Sequence, residues 1–207
     1  MSLPVLWYFA DPMCSWCWGF SPVITAIKTD YESRLDVALI LGGLRPNESQ
    51  AMTAAMRDDI LHHWHEVEKL SGQQFGFDNA MPEGFIYNTE PASRAVISMA
   101  NLQPGITMDY FKNIQSAFYQ DNVDVTQKNV LYQLAQKTGF NDKERFDHAF
   151  ESQDIKDKTQ LHFQRSREFG VSGFPTVILQ NQLGDHILTR GYCHYDELRN
   201  KLDPLLD

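Results

Sequence analysis

Residues 3–10 are almost wholly apolar and rich in aromatic and β-branched side chains. They predict a strand buried on both faces. Residues 35–41 form a second such run, closed by Gly42-Gly43. Between them, residues 15–31 read as a helix, with Pro22 expected to kink it or delay its start. Two strands apolar on both faces and joined by a helix predict a parallel pair.

From residue 49 to about 170 the hydrophobic period becomes helical. Ile60, Trp64 and Val67 share one face, and Ser71-Gly72 ends that helix. Ala92, Ala95, Val96 and Met99 mark a second, and Phe111, Ile114 and Phe118 a third. Val130, Leu131, Leu134 and Ala135 mark a fourth, stopped by Gly139. Asn141 with Glu144 is a capping-box signal for a fifth, carrying Phe146 and Phe150. A more polar sixth covers 154–169. The gap at 71–91 holds Phe75, Phe77, Phe85 and Tyr87. Long loops are often functional, but these aromatics read first as staples to the core.

Strands return at 176–179 and 186–190, joined by a hairpin turn over 181–185, and residues 195–206 close the chain as a helix. The order is βαβ, a helical block, then ββα: an α/β protein with a large helical insertion. Residues 1–46 and 153–207 are expected to form the α/β part and 47–152 the inserted helical domain.

Composition narrows the class. The chain has 207 residues, 43% of them hydrophobic, and 27 acidic against 18 basic side chains, a formal charge of −9. That balance repels phosphate backbones and anionic lipid surfaces, so neither nucleic acid nor membrane is expected as a partner. Met1-Ser2-Leu3-Pro4 carries no basic leader, and no apolar run approaches a membrane span, which predicts a cytoplasmic protein. In that compartment three cysteines do not make a disulfide framework.

The chemistry concentrates where the first strand meets the first helix. Asp11-Pro12 ends the strand, and Cys14-Ser15-Trp16-Cys17 follows. A thiol at the first turn of a helix faces unpaired N–H groups and the positive end of the peptide dipoles, which favour the reactive thiolate. Cys14 is therefore expected to have a depressed pKa and to reach solvent. Cys17, one turn inside on the same face, is expected to resolve the mixed disulfide. Ser15 can donate a hydrogen bond to the thiolate. Asp11 would raise the thiol pKa if its carboxylate lies close. Trp16, Trp18, Phe20, Met13 and Phe174 are candidates for an apolar rim around Cys14, with Trp18 and Phe20 equally able to face the core. A zinc half-site is the competing reading of the pair. The chain has one other cysteine, Cys193, read as structural, and His62 and His65 fit a solvated helix face, so no metal is expected.

A second signal is Val171-Ser172-Gly173-Phe174-Pro175-Thr176, a proline opening a strand. Together with Asp11-Pro12-Met13-Cys14-Ser15-Trp16-Cys17 it resembles the DsbA family of thioredoxin-fold proteins, and within it the cytoplasmic FrnE-like branch, which the Asn88-Thr89 pair also resembles. The resemblance spans essentially the whole chain. It implies a thioredoxin fold, a cis Phe174–Pro175 bond, and a Pro175 loop packed against the sulfurs with the Phe174 backbone pairing an extended substrate.

The reaction expected is thiol–disulfide exchange. Cys14 attacks, a mixed disulfide with a thiol- or disulfide-containing protein or small molecule forms, and Cys17 displaces it. No tightly bound cofactor is implied; glutathione or another reductant resets the pair. Ser-Trp stands where strongly oxidising members carry Pro-His, which favours reduction or isomerisation over forced oxidation. Two alternatives remain open. One is a glutathione-dependent isomerase or transferase of the kappa or chromene-carboxylate type, disfavoured by the retained Cys17. The other is a chaperone-like or adaptor protein that grips extended chains.

Overall fold

The computed structural model describes residues 3–206. Strand β1 (Val5–Ala10) leads through a tight turn into helix α1 (Ser15–Asp30) and on to β2 (Asp36–Leu41). A helical block follows: α2 (Ala54–Ser71), α3 (Glu90–Leu102), α4 (Thr107–Tyr119), α5 (Lys128–Lys137), α6 (Lys143–Glu151) and α7 (Gln153–Glu168). Strands β3 (Thr176–Asn181) and β4 (Gly184–Arg190) and helix α8 (Tyr195–Leu206) complete it. The sheet order is β2-β1-β3-β4. β1 runs parallel to β2 and antiparallel to β3, and β3 pairs antiparallel with β4.

Alternation along β1 decides where the core sits. Leu6, Tyr8 and Ala10 face the large core that also takes in α1, α8 and the helical block. Phe9 faces the other side, where it meets Ile40, Ile178 and Phe169. The Phe9 and Phe169 ring centroids lie 5.2 Å apart. Both faces of the strand are thus buried, as its continuous apolar run requires.

Helix α1 runs unbroken from Ser15, so Pro22 does not delay its start. Proline cannot donate to the carbonyl four residues back. That carbonyl, Trp18 O, is taken instead by Gln73 Nε2 at 3.2 Å, which also donates to Ser21 Oγ at 2.9 Å. Gln73 opens the loop 72–89, which lies along the helices as a staple. Phe75, Phe85 and Tyr87 are buried, and the Phe75 ring packs 5.3 Å from both Trp64 and Tyr119. Gly76 lies so close to the chain that a Cβ there would meet Gln120 O at 2.3 Å.

Two local expectations shift. The N-cap of α6 is Asp142, whose carboxylate accepts from Arg145 N–H, rather than Asn141. The hairpin turn shortens to residues 182–183, because β3 reaches Asn181 and β4 begins at Gly184, whose φ of 117° suits glycine.

Candidate active site: a dithiol at a helix start

The Asp11-Pro12-Met13 turn sets up the site. Cys14 N–H donates to Asp11 O at 3.1 Å, and Cys14 O accepts from Trp18 N–H at 3.0 Å as the N-cap of α1. The cap residue has extended backbone and no side chain occupies the capping position. The first-turn amides therefore keep their donors free on the side where the sulfur lies. Cys14 and Cys17 are both free thiols. Cys17 is wholly buried, and Cys14 is 5% exposed. Cys14 lines a groove, its remaining exposure is small, and the Sγ–H faces the Phe174 carbonyl at 3.5 Å.

The Phe174–Pro175 peptide bond is cis, and Pro175 is buried behind it. The Phe174 ring lies across the end of β2. A Cβ on Gly42 would stand 1.9 Å from its Cζ, so the ring occupies the space that only glycine leaves. Phe174 and Trp16 are half-buried and form the rim, with Trp16 also 6.1 Å from the Tyr192 ring. Met13 lines the groove, but its side chain is fully buried. The cause is the turn, in which Asp11 Oδ1 takes the Met13 N–H at 2.9 Å and the Tyr87 hydroxyl donates to Met13 O. Trp18 and Phe20 likewise belong to the core. Ser15 is half-buried and makes no hydrogen bond to either sulfur.

Asp11 is completely buried beneath the pair. Its other oxygen accepts from Leu44 N–H at 2.8 Å, tying the start of the helix to the end of β2. Burial pushes its carboxyl up to about 6, against the Leu44 and Met13 N–H bonds that favour the anion. Burial likewise pushes Cys17 well above the ordinary thiol value, with Cys14 adding to the rise through a hydrogen bond and its charge. Tyr8, Tyr87 and Tyr119 are buried around the same cluster, and desolvation raises all three. An ionised group buried beside Asp11 and Cys17 is costly, whereas Cys14 borders a groove.

The groove above Cys14 has a volume of about 250 Å³. Its walls come from the rim residues Trp16 and Phe174, from Leu44 and Arg45 after β2, and from Ile60 and His63 on α2. Arg45, His63 and Tyr87 were not singled out from the sequence as site residues. Arg45 and Tyr87 come from loops brought together only by packing, and His63 carried no signal beyond an exposed helix position. Among the described residues, no group of three or more His, Cys, Asp or Glu side chains is placed to hold a metal ion, and no helix is long and apolar enough to cross a membrane.

A dithiol at the N-terminus of α1, facing the carbonyl of an X–cis-Pro loop on a β2-β1-β3-β4 sheet, defines a thioredoxin-fold protein. The chain belongs to the DSBA-like thioredoxin domain family, whose model matches residues 5–203. It is similar to a Nitrosomonas europaea protein proposed to be a protein disulfide isomerase, at 43% identity and TM-score 0.93 over 99% of this chain and 98% of that one. It is similar to the cytosolic disulfide reductase DsbM from Pseudomonas aeruginosa, solved with GSH, at 26% identity and TM-score 0.80 over 98% of both chains. Among curated proteins it resembles the ClpXP adapter protein SpxH of Halalkalibacterium halodurans, 22% identical over 92% of this chain, and that of Bacillus subtilis, 25% identical over 85%. The chain spans about three fifths of the length of these curated relatives, 63% and 58%.

Proposed function

We propose that the protein is a cytoplasmic thiol–disulfide oxidoreductase in which Cys14 is the nucleophile and Cys17 the resolving thiol. The observation that carries this reading is the opposed surroundings of the two sulfurs. Cys14 lines a groove at the uncapped start of α1, and Cys17 lies one turn deeper without solvent contact. The first-turn amides of α1 are aimed at the position where Cys14 Sγ carries its charge as the attacking thiolate.

In the reductive direction, Cys14 as thiolate attacks one sulfur of a substrate disulfide. A Cys14–substrate disulfide forms and the first substrate thiolate leaves, taking a proton. Cys17, deprotonated, then attacks Cys14 Sγ and expels the second substrate thiolate, which also takes a proton. The dithiol loses two electrons and two protons, and the substrate gains them. Two glutathione thiols reverse the balance and restore the pair. During the first step the Phe174 carbonyl loses the Cys14 thiol as its donor and becomes free to accept an N–H from an extended substrate. Pro175 has no N–H to compete for that substrate. Asp11 acts from below on Cys17, and Trp16 and Phe174 supply apolar contact at the rim.

Ser15-Trp16 between the cysteines, and the reductase described as bound to GSH at 26% identity, favour reduction or isomerisation with glutathione as co-substrate. The decisive test is equilibration in a glutathione redox buffer together with insulin-disulfide reduction. The expected potential lies near the glutathione poise, between about −120 mV for strong oxidants and about −270 mV for thioredoxin. Insulin reduction is expected to vanish in Cys14→Ser. A pair that never oxidises across that range sinks the reading.

The adapter descriptions of the curated relatives favour a second reading, in which the groove grips a polypeptide without redox turnover. Binding of a partner chain that is equal in wild type and in a Cys14→Ser, Cys17→Ser double variant, with no insulin reduction by the wild type, would support it.

A further inference from the structure

The charge of the groove is opposite to that of the chain. The protein carries a formal charge of −9, yet the ionisable groups lining the groove besides the Cys14 thiol and the Tyr87 phenol are Arg45 and His63, with no carboxylate among the lining residues. His63 has a partner in Glu66, at 3.2 Å. Arg45 makes no ion pair with any described carboxylate. Glu48, the acid whose charge it does feel, is committed to the N–H groups of Ser49 and Gln50.

Arg45 is held in place nonetheless. Its N–H donates to Thr89 Oγ1 at 3.1 Å, and its carbonyl accepts from Thr89 N–H at 3.0 Å. Thr89 is fully buried. The guanidinium carbon lies 5.5 Å from the centroid of the Tyr87 ring, a cation–π distance. The Tyr87 hydroxyl in turn donates to Met13 O, one residue before the nucleophile. Cation and sulfur are therefore fixed to one scaffold, with the groove between them. A positioned guanidinium without an anion is a ready partner for a carboxylate.

We propose that Arg45 is a specificity residue that anchors the carboxylate of a small anionic thiol or disulfide while its sulfur meets Cys14. A groove of about 250 Å³ accommodates one or two residues of a peptide-like ligand. This assignment rests on the oxidoreductase reading and names the substrate class for it. The exchange step is that given above: Cys14 bonds to one sulfur of the disulfide, the other leaves as a thiol, and Cys17 completes the two-electron transfer.

The test is single-turnover oxidation of the pre-reduced full-length protein by two probes, followed by acid quench and mass spectrometry. Glutathione disulfide carries carboxylates; bis(2-hydroxyethyl) disulfide carries none. In Arg45→Gln, the ratio of the two second-order rate constants, anionic over neutral, is expected to fall roughly tenfold. Arg45→Lys should recover part of that ratio, and added salt should lower it in the wild type but not in Arg45→Gln. Using a ratio makes a general loss of folded protein cancel. A wild type that reacts with both probes while Arg45→Gln leaves the ratio unchanged overturns the anchor and spares the oxidoreductase reading. A wild type that reacts with neither probe overturns that reading, and the anchor with it.

Discussion

Cys14 and Cys17 share one helical turn and one chemical group, yet they inhabit two different solvents. The Cys14 side has free helix amides, a groove, an arginine with no ion pair among the described residues, and a backbone carbonyl within reach of the thiol. The Cys17 side has a buried carboxyl, Asp11, and the buried Tyr8 phenol, each made harder to ionise by desolvation. The spacing of the motif creates the pair; the packing around it creates the difference. A dithiol in which both sulfurs saw the same medium would have no physical reason to divide the labour of attack and resolution.

The largest effect that can break the comparison is on chemistry. Cys14→Ser should reduce reaction with glutathione disulfide by several orders of magnitude, to the solution background. Cys17→Ser should still react but stop at a glutathione adduct on Cys14, seen as a stable mass increase. If Cys14→Ser instead accumulates an adduct on Cys17, the buried sulfur is the accessible one and the asymmetry is inverted.

The buried side should declare itself in the pH dependence of stability. Asp11 titrates at about 6 in the folded protein rather than 3.8. Below about pH 4 it is protonated in both states and costs nothing. As pH rises to 6 the unfolded chain ionises first, so stability is lost, by about 3 kcal/mol in all. His162 on α7 does the reverse. It is held at about 4 rather than 6.5 by burial and then by Arg165, and its Nδ1 accepts the Leu41 N–H only when neutral. Its stabilisation is present above pH 6.5 and lost as pH falls to 4. The two contributions cover the same window with opposite signs and nearly cancel. Urea denaturation between pH 4 and 7 should therefore show Asp11→Asn gaining roughly 3 kcal/mol with rising pH relative to wild type, and His162→Gln losing a similar amount. Parallel profiles for Asp11→Asn and wild type would mean that the carboxyl is hydrated, and that the Cys17 side is not the dry region described.

On the open side, Gly42→Ala should force the Phe174 ring off the end of β2, at about 1–3 kcal/mol of stability. The sharper readout is local. Alkylation of Cys14 should change in rate because the Phe174 carbonyl moves with its ring, while Cys17 stays protected in the denaturant-free protein. Equal changes at both sulfurs would show that the loop supports the whole site rather than one side of it.

How much of this was legible beforehand depended on whether the cause was local. β1 and β2 announced themselves because strands buried on both faces need continuous apolar sequence. The dithiol and Pro175 were legible because helix starts and strand starts constrain their residues within a few positions. Asn141 and Asp142 are both capping residues, and only the backbone angles at 142 chose between them. Met13 lines the groove yet is fully buried, unlike the half-buried Trp16 and Phe174. Two hydrogen bonds from residues 11 and 87, one of them 74 positions away, turn it inward. Arg45 and Tyr87 had no local signature at all. Their meaning lies in the distance between a β2 exit and a loop end that the helical block brings together.

The smallest effect tests whether the buried side is held by that loop. Gln73 caps Trp18 O, the carbonyl one residue beyond Cys17, which Pro22 leaves without its helical donor. Gln73→Leu removes two hydrogen bonds and leaves a partly buried acceptor unpaired, which should cost about 1–2 kcal/mol. Its consequence should be confined to the first turns of α1. Under native conditions, Cys17 alkylation through local opening should rise by roughly five- to thirtyfold for that change in free energy, with Cys14 little altered. A Cys17 as protected as in wild type would place the stability of the buried sulfur in the aromatic core of Trp64, Phe75 and Tyr119 rather than in the repaired helix, and the loop would then be a cover for the site and not part of its support.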